Sequence, residues 1–497
     1  MKRFYTFVFF TLTCSICFST TEIGIDISSV VSIRYLSGEI KHNEVSSRFS
    51  FSSKLAENTS VFSSILARFS VSAEDTTFVS SELGKIVYKE PTLFDLYECY
   101  IRIDGMILDN ISLILGKQRI FWGKADKINP TDVLNPSDLY KPIEFSKKLP
   151  SWALNAKVFI PVLDETHVQL VLKPFSDSAK FGIPLIRRYN EEITDKVLGE
   201  IGKRIPFFRL RGISQPYGSL QDDLLSITNI TAGIKVATRF LGFDLSTSFV
   251  TRENDMPLIR HLCVSNLITV KTNGSSLPDV EVYVNSIRYF MDYHRESMVG
   301  FDLSRDLGFA VGWFEIGVFI PEKMERFYSV SSEILTIASS GSGGYTTNTN
   351  YVVTNYSEVY LETFYTKYAI GFEKLFDDGY ANLQFVHGIG MERGSSEEKP
   401  QDYLMLSIER KFFSSTLGIG GFVILNTDDV FQKFGESDIM KSFMDNLGYA
   451  FGVEISYYPV VGSKVFINLV NIEGNGKSRF VRFNDFDTIS VGFSMEI

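Results

Sequence analysis

The feature that most constrains this chain is a two-residue alternation of apolar and polar side chains, recurring in segments of roughly ten residues. At the C-terminal end Ile489, Val491, Phe493, Met495 and Ile497 alternate with Ser490, Gly492, Ser494 and Glu496. Phe243, Leu245, Thr247 and Phe249 alternate with Asp244, Ser246 and Ser248, and Phe451, Val453, Ile455 and Tyr457 with Gly452, Glu454 and Ser456. Successive side chains of a strand point to opposite faces, so each segment has one greasy and one hydrophilic side. Past the N-terminal region no apolar run approaches the ~18 residues that a spanning helix needs. The chain is nevertheless 44% hydrophobic, with 43 Phe and 23 Tyr, and these residues must be spread over strand faces.

The connections between segments take turns. Short ones fall at 57–60, 104–106, 162–164, 239–242, 305–307, 377–379, 413–414 and 459–462; long ones fall at 74–92, 118–150, 175–224, 321–355 and 426–446. Counting Lys271–Asp279 as a further, longer short-side turn, the spacing predicts an all-β, transmembrane, antiparallel up-and-down barrel of about 20 strands (about 18–22 if residues 351–376 are merged or split). A soluble sandwich or solenoid also alternates, but it needs neither even hairpin phasing nor an export signal, and no repeat of fixed length is present.

Lys2 and Arg3, the apolar run Phe7–Phe18 and the small residues Ser19 and Thr20 read as a secretory signal over residues 1–19. The barrel then occupies 20–497, and the expected location is the outer membrane of a bacterium. Cys14 and Cys17 lie inside that signal without the Leu-small-small triplet of a lipoprotein, leaving Cys99 and Cys263. One optional disulfide does not hold a fold of this size. The net charge of −10 becomes more negative once Lys2 and Arg3 leave, which excludes nucleic acid as a partner. An energised, plugged receptor needs a globular domain ahead of its barrel, and here strands follow the signal directly. Five histidines, His42, His167, His261, His294 and His387, are the candidates for a general base, and no nucleophile is spaced to match any of them.

One stretch does not alternate. Residues 118–150 carry Trp122 and a doubled N-P-[ST]-D at Asn129–Asp132 and Asn135–Asp138. Proline fixes φ, while the flanking Asn and Asp hydrogen-bond the local backbone, so each copy reads as a tight turn. Their four hard oxygens also admit a calcium reading, although no EF-hand spacing is present. G-K-Q-R-x-x-W-G at Gly116–Gly123, followed by N-P-T-D-V-L-N-P-S-D at Asn129–Asp138, resembles a segment of poorly characterised porin-like outer-membrane proteins of Gram-negative-type bacteria. The resemblance implies an outer-membrane barrel and passive transport, and it brings no substrate. The chain departs from the commonest barrel ending by closing on Ile497 instead of Phe or Trp.

Counted along the chain, 118–150 is the third external loop. A barrel of this size leaves a wide lumen unless something fills it, and a stiff loop folded inward would constrict it. Its constriction candidates are Arg119, Trp122, Lys124, Lys127, Asp132 and Asp138. Assigning each strand's polar face to the lumen predicts a basic wall of Arg48, Arg68, Arg102, Lys157, Lys173 and Lys235, facing an acidic wall of Asp244, Glu281, Asp302, Glu315, Glu409 and Glu454. Helical stripes are expected at Ile193, Val197 and Ile201 and after Asp428 and Asp429, both as lids on the rim, and a mobile Ser/Gly/Thr/Asn stretch over 329–350. The expected function is passive diffusion of small hydrophilic solutes, without enzyme activity, cofactor or metal. Its partners are outer-membrane lipid and the barrel-assembly machinery. A surface-binding or adhesive barrel without an open pore, a purely structural barrel, and a barrel hydrolase are the alternatives.

Overall fold

A computed structural model describes residues 20–497 except 35–37, 39, 72–91, 106–107, 140–146, 162–164, 182, 206–207, 215, 221–228, 273–277, 340–344, 391, 395–398, 428–447, 475–477, 479 and 481–486. The signal segment 1–19 and the helix expected after Asp428 therefore lie outside the described residues, as do the side chain of His42 and most of the connection 74–92.

In chain order the strands are β1 (Thr20–Ile33), β2 (Ile40–Ala56), β3 (Thr59–Val71), β4 (Thr92–Asp104), β5 (Ile111–Gln118), β6 (Asp138–Leu139), β7 (Ser151–Phe159), β8 (His167–Lys173) and β9 (Lys180–Phe181). Helix α1 (Ile183–Arg204) follows, then β10 (Phe208–Ile213), β11 (Tyr217–Leu220), β12 (Thr231–Phe240), β13 (Phe243–Glu253), β14 (Leu258–Thr272), β15 (Asp279–Asp292), β16 (Arg295–Asp306) and β17 (Val311–Pro321). The chain continues with β18 (Met324–Ser339), β19 (Tyr345–Leu361), β20 (Tyr365–Phe376), β21 (Gly379–His387), β22 (Asp402–Phe412), β23 (Leu417–Asn426), β24 (Gly448–Tyr457), β25 (Ser463–Gly474) and β26 (Thr488–Glu496).

Eighteen of these strands form one closed antiparallel barrel. Neighbours follow chain order once β6, β9, β10, β11, β14, β15, β18 and β19 are set aside, and β1 closes on β26 from Asp26↔Glu496 to Ile33↔Ile489. Closure gives every strand two hydrogen-bonded neighbours, the condition for crossing hydrocarbon without orphaned backbone groups. Outward side chains are apolar and uncovered, Ile23 (72% exposed) and Val491 (52%) among them. The inward alternates Ser490 and Gly492 are buried. At the short end, Leu241 and Gly242 (φ 52° and 77°) join β12 to β13, the two positive-φ residues of a type I′ hairpin.

The expected count of about twenty is corrected to eighteen. The residues read as two further spanning strands are β14 and β15, which leave the barrel and enter a separate six-stranded sheet in the order β10-β15-β14-β18-β19, with β11 also paired to β15. Lys271–Asp279 is thus the far tip of a hairpin and not a short-side turn. Of the 329–350 stretch, 340–344 lie outside the described residues and the rest is corrected likewise: Met324–Ser339 and Tyr345–Leu361 pair from Met324↔Leu361 to Ser339↔Tyr345, with the Thr- and Asn-rich strand at the sheet edge. Helix α1 is not a lid on the barrel rim. Its Ile193, Val197 and Ile201 pack on Leu262, Val264, Ile268, Val282, Val284 and Ile287 of the second sheet. No helix among the described residues is long and apolar enough to cross a membrane.

Candidate constriction site

The loop that follows β5 turns inward from its first residues. Gly116 sits at φ 134°, and a Cβ there would lie 2.2 Å from the Cys99 carbonyl oxygen, so only glycine fits. Both Asn-Pro turns are knitted by their asparagines. Asn129 accepts from the backbone N–H groups of Thr131 (3.2 Å) and Asp132 (3.1 Å) and donates to the Trp122 carbonyl (2.7 Å). Asn135 accepts from Ile120 N (2.7 Å) and donates to the carbonyls of Leu149 (2.8 Å) and Gln118 (3.3 Å), tying the start of the loop to its end. The Asn129 side chain is spent on turn chemistry, and that of Asn135 on ties across the loop.

The loop lies inside the barrel, held by groups on β8, β13, β17 and β21. The Glu315 carboxylate on β17 accepts three backbone N–H bonds, from Lys124 (2.8 Å), Ala125 (3.1 Å) and Thr131 (2.6 Å). Gln384 on β21 donates to the Ile128 carbonyl (2.8 Å), and Gln169 on β8 accepts from the Trp122 indole (3.1 Å). Lys173 donates to the Leu134 carbonyl (2.8 Å), and Arg252 on β13 to that of Val133 (2.7 Å). Arg252 is itself held by Glu296 (2.7 Å), which also accepts from the Tyr365 hydroxyl (2.9 Å). The wall makes room with inward glycines: a Cβ at Gly233 would meet the Trp122 ring at 2.9 Å, one at Gly300 the Thr131 methyl at 2.9 Å, and one at Gly317 the Pro130 carbonyl at 3.4 Å. Trp122 and Leu134 are each 1% exposed, in a cluster with Val171, Val250, Met298 and Phe319 from the wall. Burial stabilises side chains of this size by roughly 1.5–3 kcal/mol each.

Between the loop and the opposite wall space remains. A cavity of about 600 Å³ is bounded by Lys127 and Lys147 on the loop side and by Asn382, Glu409, Glu454 and Asn468 on strands β21 to β25. A smaller pocket, about 300 Å³, opens among Phe121, Asp126, Asp132, Lys148 and Gly390.

The six constriction candidates are not equivalent in the structure. Lys127 lines the passage, with Nζ 3.5 Å from Asp126, and the Lys124 side chain is exposed. Arg119 turns to the wall, against Glu98 (3.4 Å) and the Tyr97 ring. Trp122 is core. Asp138 is buried beside Lys147 (3.5 Å). Asp132 is buried with Oδ1 lacking a hydrogen-bond partner, and burial pushes its carboxyl up to about 6 against the pull of Lys148.

The wall residues divide too. On the basic side Arg48 stacks on Tyr97, Arg68 pairs with Glu44 (3.6 Å), Arg102 with Asp104 (3.0 Å) and Lys235 with Asp302 (3.4 Å), while Lys173 holds the loop. Lys157 is half-buried on the face of Ala153 and Asn155. On the acidic side Glu409 and Glu454 line the passage, with Lys464 2.6 Å from Glu454. Glu315 clamps the loop, Asp302 is buried, and Asp244 pairs with Arg239 (3.4 Å) near a short turn. Glu281 is corrected: it lies on β15 of the second sheet, outside the barrel wall, bound by Arg211 and Lys271. Most of the first-half bases thus face acids of their own, as do Lys127 and Lys147 on the loop, and Glu454 is paired with Lys464.

Of the histidines, His387 pairs with Asp402 (2.6 Å) and stacks on Tyr368, His261 stacks on Phe327, His167 leans on Phe159, and His294 is buried beside Glu296 (3.5 Å). Among the described residues no serine or cysteine is hydrogen-bonded to the His387–Asp402 pair. The groups that sequence reasoning missed are the anchors Gln169, Gln384 and Arg252. The available signal was three inward glycines close together in the wall, with Gly300 directly opposite Gly317.

Asp132 gives the loop a pH dependence. Its folded-state value of about 6 lies above the ~3.9 of an unfolded aspartate, so folding takes up a proton. Its contribution to stability is fully present below the unfolded value and is lost as pH rises toward 6. The expected outcome is a quieter loop at pH 4 than at pH 7. Single-channel noise should fall on acidification in the wild type and depend less on pH in Asp132→Asn.

No protein-family profile matches the chain, and a search of curated proteins returns no match. Among solved structures it is similar to the outer membrane protein OpdK of Pseudomonas aeruginosa, at 9% identity over 97% of this chain and 99% of that one, with a TM-score of 0.46. It is similar to OccAB4 of Acinetobacter baumannii, at 9% identity over 96% and 98% of the two chains and a TM-score of 0.46. It is also similar to OccK2 (OpdF) of Pseudomonas aeruginosa in complex with glucuronate, at 10% identity over 97% and 98% and a TM-score of 0.44.

Proposed function

We propose that the protein is a bacterial outer-membrane channel through which small hydrophilic solutes diffuse passively, with residues 118–150 as its constriction. The observation that carries this reading is the passage of about 600 Å³ between Lys127 and Lys147 on one side and Glu409 and Glu454 on the other. A closed barrel with an apolar exterior needs a hydrocarbon surround, and a lumen lined by Asn382, Asn468 and charges of both signs is wetted by water. Long connections face outward from the cell and short turns face the periplasm. Opposed charges in a low-dielectric constriction set a field across the path, which orients dipolar solutes and disfavours greasy ones. Opposed signs select weakly between small ions, so cation preference is mild at most.

The test is conductance in planar bilayers: discrete, long-lived steps support a channel, and a protein closed to ions supports the adhesive or structural reading. A salt gradient then separates the two sides of the passage. Replacing Glu409 and Glu454 together by Gln is expected to move the reversal potential toward anions, and replacing Lys127 and Lys147 together by Ala toward cations. Unaltered potentials in both would remove these residues from the conducting path.

A further inference from the structure

The six-stranded sheet outside the barrel ends differently on its two sides. One edge is shared by β10 and β11, of six and four residues, and the pairing of β10 with β15 shifts register between Leu210 and Gly212. Arg209 and Arg211 stand exposed there. Short strands, a bulge and charge are the devices by which proteins keep a sheet edge from pairing with another chain.

The opposite edge carries none of them. β19 is 17 residues long, YTTNTNYVVTNYSEVYL, without Pro, Gly, Lys or Arg and with Glu358 as its one charge. Its pairing with β18 runs unbroken from Glu325↔Val359 to Ser339↔Tyr345, and among the described residues it pairs with no other strand. Both of its faces are open as well. Every residue from Tyr345 to Asn355 is exposed, Tyr345 and Tyr351 at 74% and Val353 at 63%. Tyr, Val and Thr favour strands, and an edge of this length presents a row of backbone N–H and C=O groups as a template for one more.

We propose that β19 pairs antiparallel with β19 of a second copy of this chain, joining the two six-stranded sheets edge to edge. A twofold axis perpendicular to the sheet keeps each face on its own side, because successive side chains alternate between faces, and the pairing that uses the exposed strand from Tyr345 to Val359 is centred on Val352. It sets Tyr345 opposite Val359, Tyr351 opposite Val353 and Thr347 opposite Ser357. Aromatic–β-branched and hydroxyl pairs of this kind stabilise antiparallel neighbours. Glu358 meets Thr346, so no like charges face each other. Because the far edge at β10 and β11 is blunted, the assembly closes at two copies. The contact lies outside the barrel wall and does not rest on the channel reading.

The test is the mass of the full-length protein folded in detergent, by sedimentation with the bound detergent contrast-matched. Heat-modifiable gel migration shows that each variant forms its barrel. The wild type is expected to sediment as a dimer at micromolar concentration. Val352→Lys and Val352→Glu each set like charges directly opposite at the centre of the pairing, and each is expected to weaken dimerisation at least tenfold. Mixed in equal amounts, the two variants are expected to dimerise again through opposite charges, a recovery that misfolding does not produce. A monomeric wild type, which leaves the edge to an extended segment of another protein, would overturn the proposal. So would a dimer that both charge variants leave unchanged, or a mixture that stays monomeric.

Discussion

Excision of Lys124–Lys141, with a short glycine-serine bridge across the gap, is expected to raise single-channel conductance severalfold while the barrel still forms. The segment contributes no rung to the eighteen-stranded ladder, which is closed by wall strands alone. What it contributes is volume in the lumen: both Asn-Pro turns, Leu134 and the backbone that Glu315 and Gln384 hold. A wide barrel emptied of its filling conducts as an open tube. Wild-type conductance in the excised protein would place this segment outside the ion path. The barrel itself is checked by the gel shift between unheated and boiled samples.

The second large effect is expected from one carboxylate. Glu315 is fully buried and accepts from three backbone donors of the loop, at 2.6–3.1 Å. Each donor left buried and unpaired costs about 1–3 kcal/mol. Glu315→Ala therefore removes several kcal/mol from the docking of the loop while leaving its own strand pairing intact. The loop is expected to leave the wall intermittently, read as conductance flicker and as tryptic cleavage at Lys124 or Lys127 in the folded barrel. A variant as quiet and as trypsin-resistant as the wild type would mean that the remaining anchors suffice. Gly123 is tied to the same point, since a Cβ there would lie 2.4 Å from the Glu315 carboxylate.

The barrel was legible because its physics is local. Alternation along ten residues names a strand and its two faces, and paired turn residues such as Leu241 and Gly242 name the short end. The count overshot because β14 and β15 alternate in the same way as a spanning hairpin. Period two records that one face is apolar, and it does not record whether lipid or a helix covers it. The structure separates the cases: Val282, Val284 and Ile287 are fully buried beneath α1 and its sheet, whereas outward barrel residues such as Phe94 remain 67% exposed. Misplacing that hairpin also put Glu281 in a wall to which it does not belong. Within the loop, the Asn129 turn could be read because its asparagine acts on backbone two and three residues on, whereas the ties of Asn135 reach 14 to 17 residues away. The Glu315 contact could not, since it joins backbone 184 residues away and leaves no local trace. The parallel pairing of β14 with β18 is equally invisible, because it joins two hairpins from different connections.

That shared sheet changes how the outer face of the protein can vary. In most barrels each surface connection is an independent module, free to lengthen, shorten or be exchanged. Here β10 and β11 from one connection pair with β15 of the next, and β14 pairs with β18 of the one after. An insertion of a single residue in any of the three shifts register against a neighbour and turns that strand's apolar face to water. Variation under pressure from phage or antibodies must then be concerted across the three. Grafting a foreign epitope onto this surface meets the same restriction.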